Sequence, residues 1–125
     1  MNRKRTLRLV TFSEADSSSR AASLSTRVLA QQNHTFRETG GVSEGNRDQG
    51  FRPAFLDQST GTSYLSRFAD GRIAPLHVLD GLPDELVVER DMSGHVMVVE
   101  DCVIAGFLRS ELFYTREQAA LAVSH

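Results

Sequence analysis

One cysteine, three prolines, no tryptophan and a single lysine among fourteen cationic side chains mark this 125-residue chain, and several of these scarcities exclude something. A lone Cys102 rules out an intramolecular disulfide framework and any site that needs two thiolates. Apolar runs last only a few residues, far short of the ~20 that cross a bilayer as a helix. No export signal is legible. After Met1-Asn2-Arg3-Lys4-Arg5 the stretch 7–12 is broken by Arg8 and Thr11 and runs into Glu14 and Asp16, where a signal peptide needs about 7–15 apolar residues. With a thiol suited to a reducing compartment, this predicts a cytoplasmic protein that does not meet the membrane. What remains is ordinary for a folded domain: 40% hydrophobic and 24% charged residues, at a length that supports one core without disulfides or metal.

The net charge of −2 conceals an asymmetry, since residues 1–62 carry nine basic and six acidic side chains and residues 63–125 carry five and ten. The cluster Arg3, Lys4, Arg5 and Arg8 is the only feature that favours nucleic acid. The later half is acidic, which repels phosphate, and no helix-turn-helix, zinc-finger or RNP-like pattern is present. Residues 6–12 read as a short basic strand, and residues 13–25 hold six serines, a linker composition. Ala21, Leu24 and Val28 fall at i, i+3, i+7, so a helix is expected over 20–32, with Ser17 to Ser19 as N-caps. Together these make an N-terminal arm, 1–33, ahead of a single domain, 34–125.

Within that domain Gly40, Gly41, Gly45 and Gly50 predict a long mobile or docking loop over 35–50. Extended runs at 51–56 and 62–68 flank Asp57-Gln58-Ser59-Thr60-Gly61, a hairpin whose first strand holds Pro53 and so belongs at a sheet edge or at its start. A second ribbon, 86–90 and 95–100, turns through Asp91-Met92-Ser93-Gly94. An irregular segment carrying Pro75 and Pro83 separates the two. Asp101 can cap a helix over 102–110, although Gly106 leaves a strand as the alternative. Thr115 and Gln118 have the spacing of a capping box for a short final helix. The predicted fold class is α+β: a small antiparallel sheet of about four strands packed with C-terminal helices, the two ribbons joined in one layer.

Candidate chemistry is sparse. His34, His77, His95 and His125 never fall at i, i+3 or i, i+4, so no metal site is expected, and nothing calls for a cofactor. Cys102 follows Glu100 and Asp101, which raise a thiol pKa, so a buried core cysteine is expected. The densest polar group is Arg67, Asp70, Arg72, His77 and Asp80. There His77 and Asp80 would share a hydrogen bond if the chain turns, and Asp70 would join them as a catalytic candidate. Arg67, Arg72 and Arg47, the last from the glycine-rich loop, are the candidate anion ligands.

The blocks Glu38-Thr39-Gly40-Gly41-Val42-Ser43, Gly50-Phe51-Arg52-Pro53-Ala54-Phe55-Leu56-Asp57, Ser66-Arg67-Phe68-Ala69-Asp70-Gly71-Arg72 and Ala74-Pro75-Leu76-His77-Val78-Leu79-Asp80-Gly81-Leu82-Pro83 resemble a group of small proteobacterial proteins associated with plasmids and other mobile elements. The similarity continues through Ala105-Gly106-Phe107 and Phe113-Tyr114-Thr115-Arg116-Glu117, covering about residues 38–120. The group brings no established activity or site. It implies a bacterial cytoplasmic protein with an accessory role. The leading expectation is a non-enzymatic domain that binds another protein or pairs with itself as a homodimer. The alternative is a small enzyme or anionic-ligand-binding protein built on the Arg67–Asp80 cluster, and a weaker one is nucleic-acid binding through the N-terminal arginines.

Overall fold

The structure, a computed structural model, describes residues 23–123. The basic strand expected at 6–12, most of the serine linker and the caps at 17–19 lie outside the described residues. In chain order the elements are α1 (Thr26–Thr35), a one-turn helix α2 (Ser43–Asn46), β1 (Arg52–Asp57), β2 (Thr62–Leu65), β3 (Val87–Arg90), β4 (Val96–Val99), β5 (Val103–Arg109), β6 (Leu112–Thr115) and α3 (Arg116–Val123). The class is α+β, with a four-stranded antiparallel sheet ordered β2-β1-β5-β6 and a separate two-stranded ribbon, β3-β4. Among the described residues no helix is long and apolar enough to cross a membrane.

Both predicted hairpins form, but they do not share a sheet. The inner edge of β1 pairs with β5 from Arg52 opposite Leu108 to Asp57 opposite Val103, which leaves the second ribbon outside the sheet, its strands paired with each other and β4 bridged through Val98 to Ser25. The helix expected over 102–110 is instead this central strand. Val103 and Ile104 are β-branched, Gly106 is poor in a helix, and both backbone edges find partners, β1 on one side and β6 on the other. A single C-terminal helix results, and it starts where the capping box places it. Thr115 N–H donates to Gln118 Oε1 at 2.8 Å and Gln118 N–H donates to Thr115 Oγ1 at 3.1 Å.

Pro53 is the second residue of β1. Ser66 N–H donates to Pro53 C=O at 2.9 Å, but the proline has no hydrogen to return, and Ser66 C=O accepts from Ala74 N–H instead. The proline thus ends the pairing with β2 and recruits the segment after it.

The N-terminal helix runs later than expected, over Thr26–Thr35, with the Ser25 hydroxyl accepting from Val28 N–H. The domain boundary expected at 33/34 falls inside it. Leu24 and Leu29 are buried in the main core, and Leu24 C=O accepts from Val99 N–H at 3.0 Å. The packed unit therefore includes this helix.

Register sorts the sheet's two faces. Pro53, Phe55 and Asp57 of β1 share the inner face with Val103, Ala105 and Phe107 of β5. Two buried clusters lie on that face. The larger joins Phe55, Val103 and Ala105 to Leu24, Leu29, the 79–86 segment and the ribbon residues Val96 and Val99. The smaller joins Phe51, Phe107 and Ala119 of α3. Neither cluster includes a residue of the outer face.

Candidate functional site

The Arg67–Asp80 group does not converge. Asp70 Oδ2 takes Arg72 Nε–H at 2.7 Å in an exposed turn, and Arg67 Nη1–H donates to Gly71 C=O at 2.7 Å. Asp80 belongs to the ribbon, where its carboxylate accepts from Val96 N–H at 2.8 Å and pairs with His95 Nδ1 at 2.9 Å. Burial pulls the Asp80 carboxyl upward, but the Val96 and His95 hydrogen bonds and the charges of His95 and Arg90 outweigh it and hold the pKa below the usual carboxylate range. His95 in turn is raised by its hydrogen bond to Asp80 and by the charges of Asp80 and Asp91. The His77–Asp80 hydrogen bond is thus replaced by a His95–Asp80 pair. Val78 is extended (φ −130°, ψ 129°) and a 3₁₀ turn follows over Leu79–Gly81, which parts the two side chains.

His77 turns inward. Its ring lies between the two core clusters, edge-on to Phe55 at 5.4 Å and to Phe107 at 5.1 Å between centroids. Nε2–H donates to Gly106 C=O at 2.7 Å, and Nδ1 accepts from Arg116 Nη2–H at 3.0 Å, so the donor–acceptor pattern is that of a neutral imidazole. Burial, and then the adjacent Arg116 charge, push its pKa down to about 3. Both ring nitrogens are engaged.

Arg116 is the residue that reading the sequence missed. It is 2% exposed and ties three distant segments together. Nε–H donates to Gln32 Oε1 on α1 at 3.0 Å, Nη1–H to Gly41 C=O at 2.9 Å and Nη2–H to His77. Its Cζ lies 6.0 Å from the Phe107 ring centroid. Desolvation lowers its pKa to about 10. One signal was legible: a cation at the first position of a helix, where the dipole favours acids.

The glycine-rich stretch packs against the domain and does not stand off as a mobile loop. A Cβ on Gly40 would meet Val123 and the Ala119 carbonyl, and one on Gly41 would meet the Phe36 ring. Asn46 is fully buried, its Nδ2 donating to Gly40 C=O at 2.7 Å, and its Oδ1 has no hydrogen-bond partner among the described residues. Cys102 is half-buried. Its thiol is pushed up by desolvation and then by Asp57, not by its sequence neighbours. Among the described residues no three His, Cys, Asp or Glu side chains come together as a metal site.

Two surfaces remain. A groove of about 520 Å³ runs between α2 and the 73–75 segment, with Phe51, Pro53 and Ile73 as apolar lining and Arg47 and Arg52 as the only charges. The outer face of the four-stranded sheet is the second. Cross-strand register puts Leu56, Leu65, Ile104, Leu108 and Phe113 there, all half-buried, with Ser63, Thr115 and, at one corner, Arg52. A sheet face turned to water ordinarily alternates to polar side chains. This one does not. Comparison of the chain with family models, with curated proteins and with solved structures finds no match.

Proposed function

We propose that this chain is a non-catalytic binding domain that acts as a homodimer, two copies meeting through the outer faces of their four-stranded sheets. The observation that carries the reading is the apolar outer face. Five large apolar side chains share it, no acid does, and its single cation stands at a corner. A face without charge of one sign finds its best complement in another apolar surface, and a second copy supplies one without like-charge repulsion. Four strands at ~4.8 Å spacing and six residues at ~3.3 Å give a patch of roughly 20 Å by 20 Å, about 400 Å² a side against the ~800 Å² a side of a standard interface, so the pairing is weak and reversible. The engagement of both His77 nitrogens supports a role without acid–base catalysis. A cytoplasmic accessory protein of bacteria, as the resemblance over 38–120 implies, fits this reading. Analytical ultracentrifugation at micromolar concentration tests it. The wild-type chain is expected to sediment as a dimer, and Leu108→Glu as a monomer with an unchanged circular-dichroism spectrum. A wild-type monomer throughout that range refutes the reading.

The groove favours a second reading, a site for a small ligand with an anionic head and an apolar body. Its volume lies within the ~300–1,000 Å³ typical of small-molecule sites. Arg47 and Arg52 enter no ion pair among the described residues. Arg47→Ala with Arg52→Ala is expected to abolish binding of a medium-chain carboxylate followed by calorimetry. Equal binding by the double variant would exclude the groove.

A further inference from the structure

The strongest unassigned feature lies at the start of α3. Arg116 is an almost fully buried cation, and every acceptor it reaches is neutral: an amide oxygen, a backbone carbonyl and an imidazole nitrogen. No carboxylate among the described residues pairs with it. Buried charges are ordinarily paired, because desolvation is repaid only by an opposite charge at close range. The position aggravates the imbalance, since Arg116 is the first residue of α3 and the positive end of the helix dipole adds to its charge. A guanidinium has five N–H donors, and the three acceptors account for one on each nitrogen.

A small cavity adjoins this charge. About 200 Å³ in volume, it is bordered by Gln32, Phe36, Ile104, Thr115, Arg116 and Glu117, among others. That is below the ~300–1,000 Å³ of organic-ligand sites, yet ample for an inorganic oxyanion with water. We infer that this cavity is a binding site for a small oxyanion, phosphate or sulfate in class, held by the Arg116 guanidinium with Gln32 and Thr115 beside it. The anion supplies the counter-charge that the fold leaves out. It also joins α1 to α3 through one bound group, since Gln32 and Arg116 sit on those two helices. Glu117 is exposed and borders the same cavity, so its negative charge opposes binding.

The site shares no residue with the groove and meets the outer sheet face only at Ile104 and Thr115, while the dimer test reads Leu108, so the two tests fail separately. Inorganic phosphate is titrated into the ¹⁵N-labelled chain at constant ionic strength, with chloride as the control. Saturable shifts are expected at the Arg116 Nε–H and at the amides of Thr115 and Glu117. Gln32→Glu puts a carboxylate where the amide oxygen now meets Arg116 Nε, with almost no change of shape. It is expected to weaken phosphate about tenfold or more and to raise the melting temperature in phosphate-free buffer. Glu117→Gln, at an exposed position, is expected to tighten binding. Shifts that grow linearly with phosphate and chloride alike, or a Gln32→Glu variant that binds phosphate as the wild type does, would overturn the site.

Discussion

Gly106→Ala is expected to leave little or no folded protein. Gly106 lies in the middle of β5, paired with Ala54 on one side and Thr115 on the other. A Cβ there would run into the Tyr114 carbonyl and the Phe113 ring, whose Cε2 would be 2.8 Å away. The ring has some freedom to turn, but the carbonyl is part of the β5–β6 ladder and has none. The same residue accepts the His77 Nε2–H bond, so any shift of its backbone strips a buried imidazole of its acceptor. Overpacking of this kind costs about 3 kcal/mol or more, a large share of the ~5–15 kcal/mol that holds a domain together. Gly61→Ala makes the comparison. Gly61 has φ 77° and nothing near its missing Cβ, so only the left-handed backbone is penalised, by about 1 kcal/mol. Soluble yield and urea denaturation of the two variants read the contrast. If Gly106→Ala unfolds at the wild-type urea concentration, the sheet is not packed this tightly.

The second large effect is acid lability well above the carboxylate range. In the folded chain the His77 pKa is held down to about 3, against ~6.5 when unfolded. Between these values the unfolded chain binds a proton that the folded one refuses, so stability rises with pH there and is lost on acidification. The limiting slope for one proton is about 1.4 kcal/mol per pH unit, enough over this window to remove several kcal/mol. Other groups act in other windows. His95 is raised, so its contribution is complete below its unfolded pKa and disappears as pH climbs through its folded value. Asp57, Asp70 and Asp80 are lowered, so theirs is lost only below the usual carboxylate pKa. From pH 6.5 to 4 the slope therefore belongs to His77. Urea unfolding at a series of pH values should show it in the wild type. His77→Leu, weaker at pH 7, should show a flatter line, and a flat wild-type profile would mean that His77 is solvated.

What was legible in the sequence was chemistry between near neighbours. Thr115 and Gln118 form the reciprocal cap because both partners lie within one turn. The Asp57–Gly61 and Asp91–Gly94 turns formed because an aspartate closes each one: Asp57 Oδ1 on Ser59 N–H, Asp91 Oδ1 on Ser93 and His95 N–H. What was illegible was which edges meet. Nothing local distinguishes the free edge of β1 as a partner for β5 from the same edge as a partner for the ribbon. The pairing goes with contacts made at a distance: Phe107 and Tyr114 edge-on to Phe51 at 6.1 and 5.0 Å, and Phe55 packed with Val103 and Ala105. Nor does spacing of three residues bring His77 to Asp80 when the backbone between them is extended. Arg116 reaches partners 39, 75 and 84 positions away, a set that no window along the chain contains.

The order β2-β1-β5-β6 also fixes a timetable. On the ribosome β1 and β2 can close as soon as they emerge, but the other edge of β1 must wait for the whole stretch between Asp57 and Val103. At ~5–20 residues per second that wait lasts a few seconds. The ribbon made in the interval packs on the same core but gives that edge no partner, because its strands bond to each other and to the 24–25 segment. For that time one edge of β1 has backbone groups with no strand to meet, and in this interval the nascent chain is most open to pairing with another chain.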